Sequence, residues 1–134
     1  KDIILVTGDG SFHMNLNELV TLASYELPVM VVVMNNQVLG MVRQWQDLFY
    51  GKRYSATVLN DAVDFVKLAE AMGAEGIRAT TQEEFKEAFE KALTLNRPVV
   101  IDCQVDSDDK VWPMVAPGAP INEAFDEKDL EKQK

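Results

Sequence analysis

Two short segments of the chain carry groups that could bind a metal ion and a phosphate together. The first is Gly8-Asp9-Gly10-Ser11, whose glycines allow a tight turn and close approach of a ligand to the backbone. A helix that starts here would offer free N–H groups and the positive end of its dipole, which favour phosphate. The Asp9 carboxylate would repel that phosphate unless a cation such as Mg²⁺ lay between them. Asp-Gly also forms ordinary turns, so this segment alone leaves both interpretations open.

The second segment is Asn35-Asn36, which ends the next apolar run. Asn36 offers an amide oxygen, and the carbonyl groups beyond it offer further hard ligands, although a simple turn at the end of a strand is the alternative. Between Gly10 and Asn35 lie 24 residues, enough for one helix and one strand that return the chain to a neighbouring strand end. Asp9 and Asn36 are therefore predicted to face one cation.

Alternating strands and helices must position these segments. Apolar runs predict four strands, namely Ile3–Val6, Val29–Met34, Ile77–Ala79 and Pro98–Val105. Helical spacing and capping signals predict helices at Asn15–Glu26, at Met41–Tyr50, from Asp61 or Asp64 to Gly73, and after a capping box at Thr81–Glu84. This alternation predicts a doubly wound, Rossmann-like α/β fold, with helices on both faces of a parallel sheet and ligands at the carboxyl ends of the strands.

Composition limits the class of function. The 134 residues are 47% hydrophobic and 26% charged, which suits one soluble globular domain. The net charge of −9 disfavours nucleic acid and anionic membranes as partners. Cys103 is the single cysteine, which excludes a disulfide scaffold and favours a reducing, cytoplasmic location.

The two motifs and their 24-residue spacing resemble the thiamine diphosphate motif of decarboxylase-like enzymes. Two further segments narrow the resemblance to the catalytic large subunit of acetolactate synthase, also called acetohydroxyacid synthase. These segments are Leu39–Gln46 (LGMVRQWQ) and Val111–Ala119 (VWPMVAPGA). The resemblance extends over nearly the whole chain apart from its charged end.

The resemblance implies a role for each matching residue. The implied metal ligands are Asp9, Asn36 and, through its backbone carbonyl, Val38. The implied cofactor contacts are Gly8, Gly10, Ser11, Asn36, Leu39, Gly40 and Met41. The implied lining of the substrate pocket is Met41, Val42 and Trp45. Spacing alone would equally allow these last three residues to be ordinary helix core.

The implied reaction decarboxylates pyruvate and ligates it to pyruvate or 2-ketobutyrate, in branched-chain amino acid biosynthesis. Such subunits have three domains, and their cofactor bridges two subunits. The implied partners are therefore the remaining domains of the catalytic subunit, further copies of it in a homo-oligomer, and a small regulatory subunit. The glutamate that activates the cofactor would lie on a domain that nothing here matches, so the chain alone is expected to be inactive.

The start and the end of the chain suggest how it is organised. Ile3–Val6 is a continuous apolar run, which predicts a strand buried on both faces. Such a strand has neighbours on both sides, so the fold is expected to be truncated at its N-terminus, with a domain that begins at its true edge as the alternative. Residues 1–106 would form a partial thiamine diphosphate- and Mg²⁺-binding domain, and residues 107–134 an extended tail with a charged end.

Three alternative functions stay open. The first is another thiamine diphosphate enzyme, of the pyruvate oxidase or glyoxylate carboligase type. The second is a non-catalytic binding or scaffold module that keeps the fold, and the third is a plain nucleotide-binding α/β domain.

Two further residues are expected to have no part in catalysis. His13, the only histidine, is expected in a structural or solvent-facing role, and Cys103 is expected to be inert packing within a strand.

Overall fold

The computed structural model describes residues 3–59 and 63–131, and its centre is a four-stranded parallel sheet with the spatial order β1-β2-β4-β3. The strands are β1 (Ile3–Gly8), β2 (Val29–Asn35), β3 (Glu75–Ala79) and β4 (Val99–Gln104). All four predicted strands are present, with ends shifted by a few residues.

Helices connect these strands. They are α1 (Asp9–Asn15), α2 (Leu19–Ser24), α3 (Gly40–Phe49), α4 (Phe65–Ala71), α5 (Gln82–Thr94) and α6 (Glu127–Glu131). Two short 3₁₀ turns cover Leu16–Glu18 and Ile121–Glu123. Among the helices of the described ranges, none is long and apolar enough to cross a membrane.

Strand register brings the carboxyl ends of β1, β2 and β4 to one edge of the sheet. Gly8 pairs with Met34 across β1 and β2, and Asn35 pairs with Gln104 across β2 and β4. Asp9 follows β1 directly, and the residue after β2 is Asn36. The sheet therefore places the two predicted site segments at neighbouring strand ends.

Each face of the sheet is covered by helices, which confirms the predicted α/β fold. One core contains the α1, α2 and α4 side chains Phe12, Leu19, Phe65 and Ala69 packed with Val31, Val33 and Val100 of the sheet. The opposite core contains Ala88 and Ala92 of α5 packed with Met30, Val32, Ala79, Val99 and Ile101. Burial of these apolar side chains is the main force that fixes the layers.

The prediction that Ile3–Val6 is buried on both faces was wrong for this chain. Ile3 is 59% exposed and Val6 is 65% exposed. The physical reason is position, because β1 lies at the edge of the sheet and pairs only with β2 among the described strands. The central strands carry the buried runs instead, over residues 30–33 of β2 and residues 99–102 of β4.

The first predicted helix, Asn15–Glu26, was also wrong in its bounds. The helix begins at Asp9, immediately after β1, and a 3₁₀ turn divides it into α1 and α2. Asn15 leaves the helical conformation, with φ of −134° and ψ of 12°. Asn favours such departures because its side chain competes with the helix for backbone hydrogen bonds.

The start of α4 follows the predicted capping pattern. Oδ1 of Asp64 accepts hydrogen bonds from the N–H groups of Val66 and Lys67, at 3.1 and 3.2 Å. Asp61, the alternative cap, lies outside the described residues. The helix stops before Gly73, whose φ of +88° is the left-handed conformation that glycine adopts freely.

The start of α5 is a variant of the predicted capping box. Oγ1 of Thr81 accepts from the N–H of Glu84 at 3.1 Å, as the box requires. The Glu84 carboxylate accepts from the N–H and the hydroxyl of Thr80, at 2.7 and 2.6 Å. These two bonds lower the pKa of Glu84.

The chain forms two compact units. The first comprises Lys1–Val38 with Val58–Ser107 and contains the sheet. The second comprises Leu39–Thr57 with Asp108–Lys134, in which α3 meets the C-terminal residues. There Gln44 exchanges two hydrogen bonds with the backbone of Val111, and the Phe49 and Trp112 rings contact Phe125 edge to face. The domain boundary at residue 106 stays a prediction.

Candidate functional site

Asp9 is a buried carboxylate at the carboxyl end of β1. It is only 4% exposed, and both of its oxygens accept backbone hydrogen bonds. Oδ1 accepts from the N–H of Gly10 at 2.8 Å, and Oδ2 accepts from the N–H of Gln37 at 2.7 Å. The second bond links the two predicted segments directly, since Gln37 immediately follows Asn36.

The segment after β2 forms a tight turn around Asn36. Its Oδ1 accepts from the N–H of Val38 at 3.2 Å, a short-range bond that Asn side chains often make in turns. Gln37, between them, has φ of +60°, which is uncommon for a residue with a side chain. Val38 is buried and forms an isolated antiparallel bridge with Val58. The bond from Gln37 to Asp9 and the bridge from Val38 to Val58 therefore both hold the turn in place.

The donor set of these two segments fits a hard divalent cation. The predicted ligands Asp9, Asn36 and Val38 supply a carboxylate, an amide oxygen and a backbone carbonyl, all oxygen donors of the kind Mg²⁺ prefers. A carboxylate has about four acceptor positions, so the two bonds to Asp9 leave capacity for a metal. Within the described ranges, no three His, Cys, Asp or Glu side chains form a metal-binding group. A cation here would thus need the Asn36 and backbone oxygens.

The predicted phosphate contacts lie where β1 passes into α1. Gly8 is the N-cap of α1, and a Cβ built on it would have no atom within 4 Å. Gly10 already donates its N–H to Asp9, and Ser11 is exposed in the first turn of the helix. The open space at Gly8 and the exposed Ser11 hydroxyl leave this strand end accessible to an anion.

A buried polar cluster lies beside the Asp9 segment and was not predicted from the sequence. Its centre is Asp102 on β4, which is 1% exposed. Oδ1 of Asp102 accepts from Nδ2 of Asn35 and Nε2 of Gln104, both at 2.9 Å. Oδ2 accepts from Nε of Arg78 at 3.1 Å, and Arg78 also reaches Asp64 at 2.7 Å.

The sequence did carry one signal for this cluster. Asp102 interrupts the apolar run of β4, where a carboxylate is costly unless it is paired. The hydrogen bond to Asp102, with the charges of Asp64 and Asp102, raises the pKa of Arg78 above its ordinary value. What the sequence lacked was the identity of the partners, which come from three other positions of the sheet.

A cavity of about 360 Å³ opens between these groups. Its polar lining includes Asp9, His13, Asn35, Asp64, Arg78 and Gln104.

His13 is exposed, and its ring lies 5.3 Å from that of Phe65, in keeping with its expected structural or solvent-facing role. Burial first, and the Asp102 charge second, raises the pKa of the Cys103 thiol, which suits the expected packing role.

The predicted substrate-pocket residues lie together in the second unit. Met41, Val42 and Trp45 of α3 line a cavity of about 690 Å³, which Tyr50 and Arg53 help to enclose. Met41 and Val42 are each 49% exposed, so they are not helix core in this chain. The remaining predicted contacts, Leu39 and Gly40, stand at the start of α3, where the Leu39 N–H donates to the Thr57 carbonyl at 2.8 Å.

Comparison with known proteins decides the family. Residues 1–103 match a family described as "Thiamine pyrophosphate enzyme, C-terminal TPP binding domain". The chain belongs to this family. Thiamine pyrophosphate, the same compound as thiamine diphosphate, is its cofactor, and Mg²⁺ is the metal that usually accompanies it in the family.

Several curated relatives of this thiamine pyrophosphate-binding domain are acetolactate synthase large subunits, which confirms the resemblance drawn from the motifs. The protein of Pyropia yezoensis is 45% identical over 117 residues, which is 87% of this chain and 20% of that protein. The protein of Haemophilus influenzae is 42% identical over 131 residues, which is 97% of this chain and 23% of that protein. The chain thus spans about a fifth of the length of these relatives.

A solved structure supports the fold of the binding domain. A thiamine diphosphate-dependent 4-hydroxybenzoylformate decarboxylase from Rhodococcus jostii RHA1 superposes with a TM-score of 0.73 at 29% identity. The superposition covers 79% of this chain and 20% of that one. The fold is therefore that of a thiamine diphosphate-dependent enzyme domain.

Proposed function

We propose that this chain is the part of an acetolactate synthase that binds Mg²⁺ and the diphosphate of thiamine diphosphate. The observation that carries the proposal is the 2.7 Å bond from the Gln37 N–H to Asp9, which brings the carboxylate against the Asn36 turn. Membership of the thiamine pyrophosphate-binding family indicates the ligand. The oxygen donors of Asp9, Asn36 and Val38 indicate a hard cation such as Mg²⁺.

The predicted site residues of the first unit have separate roles in the proposed binding. Asp9 and Asn36 give side-chain oxygens to Mg²⁺, and Val38 gives its carbonyl oxygen. Gly8 leaves room for the diphosphate close to the backbone, while Gly10 and Ser11 contact it. The buried setting of Asp9 strengthens its attraction for a cation, because bulk water screens it less there.

The second unit is proposed to receive the 2-keto acid. Met41, Val42 and Trp45 give its cavity an apolar wall that excludes water, and the Arg53 guanidinium offers a charged partner to a substrate carboxylate. The assignment of Leu39, Gly40 and Met41 to the cofactor rests on the family resemblance. Bound thiamine diphosphate would supply the electron sink for loss of CO₂ from the 2-keto acid.

The proposed overall reaction decarboxylates pyruvate and joins it to pyruvate or 2-ketobutyrate, in branched-chain amino acid biosynthesis. The proposed partners are the remaining domains of a catalytic subunit, further copies of that subunit, and a small regulatory subunit. We propose a cytoplasmic location, supported by the single thiol of the sequence. The 134-residue chain alone is expected to lack this activity, because its relatives are about five times longer.

A second candidate is decarboxylation without ligation. The Rhodococcus neighbour, named as a decarboxylase, favours it. The higher identity to acetolactate synthase large subunits, at 45% against 29%, favours ligation. The two candidates differ in product, since decarboxylation alone turns pyruvate into acetaldehyde and CO₂.

A chimaeric enzyme tests the proposal. The matching segment of the Haemophilus influenzae large subunit, which aligns with 97% of this chain, would be replaced by this sequence. We expect the chimaera to form acetolactate from pyruvate and to lose this activity on Asp9→Ala. A folded chimaera that releases only acetaldehyde would support the second candidate. A folded chimaera that binds no thiamine diphosphate would contradict both.

A further inference from the structure

Asp102 is a carboxylate placed inside the sheet, and it is not among the residues assigned to the metal and the diphosphate. It lies on β4 between the fully buried Ile101 and the half-buried Cys103. A carboxylate buried in this way is stable only when charged or hydrogen-bonding partners surround it. Its position therefore depends on the groups that donate to it.

Three side chains donate to Asp102, and each comes from a different place near the carboxyl edge of the sheet. Asn35 stands at the end of β2, Arg78 on β3, and Gln104 at the end of β4. Arg78 in turn pairs with Asp64, the N-cap of α4. The cluster thus ties three strands and one helix together at the edge where the Asp9 segment lies.

Asn35 connects this cluster to the Asn36 turn. Its side chain donates to Asp102 at 2.9 Å, and its carbonyl accepts from the N–H of Val105 at 3.0 Å. Its side chain is therefore fixed to β4, and its backbone to the residue that follows β4. Two residues later, the N–H of Gln37 donates to Asp9 at 2.7 Å.

We propose that Asp102 is a positioning residue that fixes the Asn36 turn through Asn35, so that Gln37 engages Asp9 and the Asn36 and Val38 oxygens are presented together. What the turn then binds rests on the proposed function, but the positioning does not. A contiguous set of bonds runs from Asp102 through Asn35 and the backbone to Gln37 and Asp9.

A purely stabilising role would not need this arrangement. Apolar side chains of similar volume often replace buried ion pairs without loss of stability. An apolar residue at position 102 could pack beneath the turn, but it could not hold the Asn35 amide in one orientation. The effects of an Asp102 substitution on the stability of the fold and on the position of the turn can therefore be measured separately.

The first measurement follows the Gln37 amide itself in the ligand-free chain. Three substitutions remove, reduce or keep the acceptor: Asp102→Leu leaves no acceptor oxygen, Asp102→Asn leaves one, and Asp102→Glu keeps a carboxylate. Ile101→Val is the matched control, because Ile101 is the neighbouring residue of β4 and packs on the opposite face. NMR hydrogen exchange would compare the amides of Gln37 and Val100 in each variant.

We expect Asp102→Leu to speed exchange of the Gln37 amide about tenfold beyond the change at Val100, the size of losing one hydrogen bond to a charged group. Asp102→Glu should restore slow exchange, and Ile101→Val should change both amides in proportion. If Asp102→Leu does not fold, Asp102→Asn gives the same comparison with a smaller effect. Equal changes at Gln37 and Val100 in the folded Asp102 variants would overturn the inference.

The second measurement is titration of thiamine diphosphate with Mg²⁺ into the same variants. Loss of a group that orients metal ligands commonly weakens metal binding by about 10–100-fold, and we expect a loss of that order in Asp102→Leu, with recovery in Asp102→Glu. Wild-type binding that Asp102→Leu leaves unchanged would overturn the positioning role and spare the proposed function. No binding by the wild type would contradict the proposed half-site, which is the Mg²⁺ and diphosphate site of the first unit. The exchange data would still decide the positioning role.

Discussion

The N–H of Gln37 donates to Oδ2 of Asp9 at 2.7 Å across 28 positions of sequence. This bond closes the gap between the segment after β1 and the segment after β2. Gln37 has a φ of +60°, and the bond places the Asn36 turn against a carboxylate that is almost fully buried. The proposed half-site therefore rests on contacts within the first compact unit.

Trp45 should report substrate binding in the second unit. The chain has two tryptophans, so Trp112→Phe leaves Trp45 as the only one. Titration with 2-ketobutyrate should then change the fluorescence saturably at millimolar concentrations, because the ligand would meet the Trp45 wall and the Arg53 guanidinium. Trp45→Phe, which leaves Trp112 beside Phe125, is the control and should not respond. An equal response of both variants would argue against the pocket.

Gly76 should be sensitive to an added methyl group. A Cβ at this position would lie 2.6 Å from the carbonyl oxygen and 2.9 Å from the Cα of Val66, so α4 would have to move away from β3. Gly76→Ala should lower the free energy of unfolding by about 1–3 kcal/mol in a denaturant titration. Gly8→Ala has open space around its Cβ and should stay within about 0.5 kcal/mol of the wild type. Similar losses for both variants would contradict the close contact between α4 and β3.

Protonation of Asp64 should lower the stability of the folded protein in acid. The N–H of Lys67 first, and the nearby Arg78 and Lys67 charges next, lower the pKa of Asp64 in the folded chain. Its contribution is therefore present above the unfolded pKa of about 3.9 and is lost as the pH falls through the lower folded value.

Thermal midpoints between pH 7 and pH 3 would test this dependence. Asp64→Asn should start from a lower midpoint and lose less on acidification than the wild type, since one carboxylate has been removed. Glu87→Gln, a change on an exposed position of α5, is the control and should follow the wild type. Parallel curves for Asp64→Asn and the wild type would show that the folded chain does not depend on this carboxylate.

Gln44 should stabilise the second unit more than its neighbour Gln46 does. Both side chains exchange two hydrogen bonds with one backbone unit, Gln44 with Val111 and Gln46 with Ser55. Gln44 is 4% exposed, so Gln44→Leu removes two part-buried hydrogen bonds to the Val111 backbone without replacing them, at a cost of about 1–3 kcal/mol. Gln46→Leu frees groups that water can reach and should cost less in the same unfolding measurement. The reverse order would show that burial does not set the effect.

The sequence was most informative where the pattern is local. The apolar runs of β2 and β4, the Thr81 cap and the stop at Gly73 each depend on neighbouring residues and were predicted. Asp64 is one of the two caps predicted for α4. The proximity of the segments that contain Asp9 and Asn36 also followed, because parallel strands joined by one helix place their carboxyl ends side by side.

Long-range features were the ones that sequence patterns missed. The partners of Asp102 lie up to 67 positions away, so nothing near Asp102 indicated Asn35. The exposure of Ile3–Val6 depends on sheet order rather than on hydrophobicity, and an apolar run looks the same at an edge as at the centre. The positive φ of Gln37 accompanies its long-range bond to Asp9 and has no signature in the residue type.

The proposed magnesium site is tested most directly by calorimetric titration of thiamine diphosphate into this chain, with Mg²⁺ and then with EDTA. We predict binding that requires Mg²⁺, is abolished by Asp9→Ala, and persists in Asp109→Ala, which removes an exposed carboxylate elsewhere. Asp9→Asn, which keeps an acceptor for the Gln37 N–H, should weaken binding without loss of the fold. Binding that is unchanged by EDTA or by Asp9→Ala, or no binding at millimolar ligand, would contradict a magnesium half-site formed by Asp9 and the Asn36 turn.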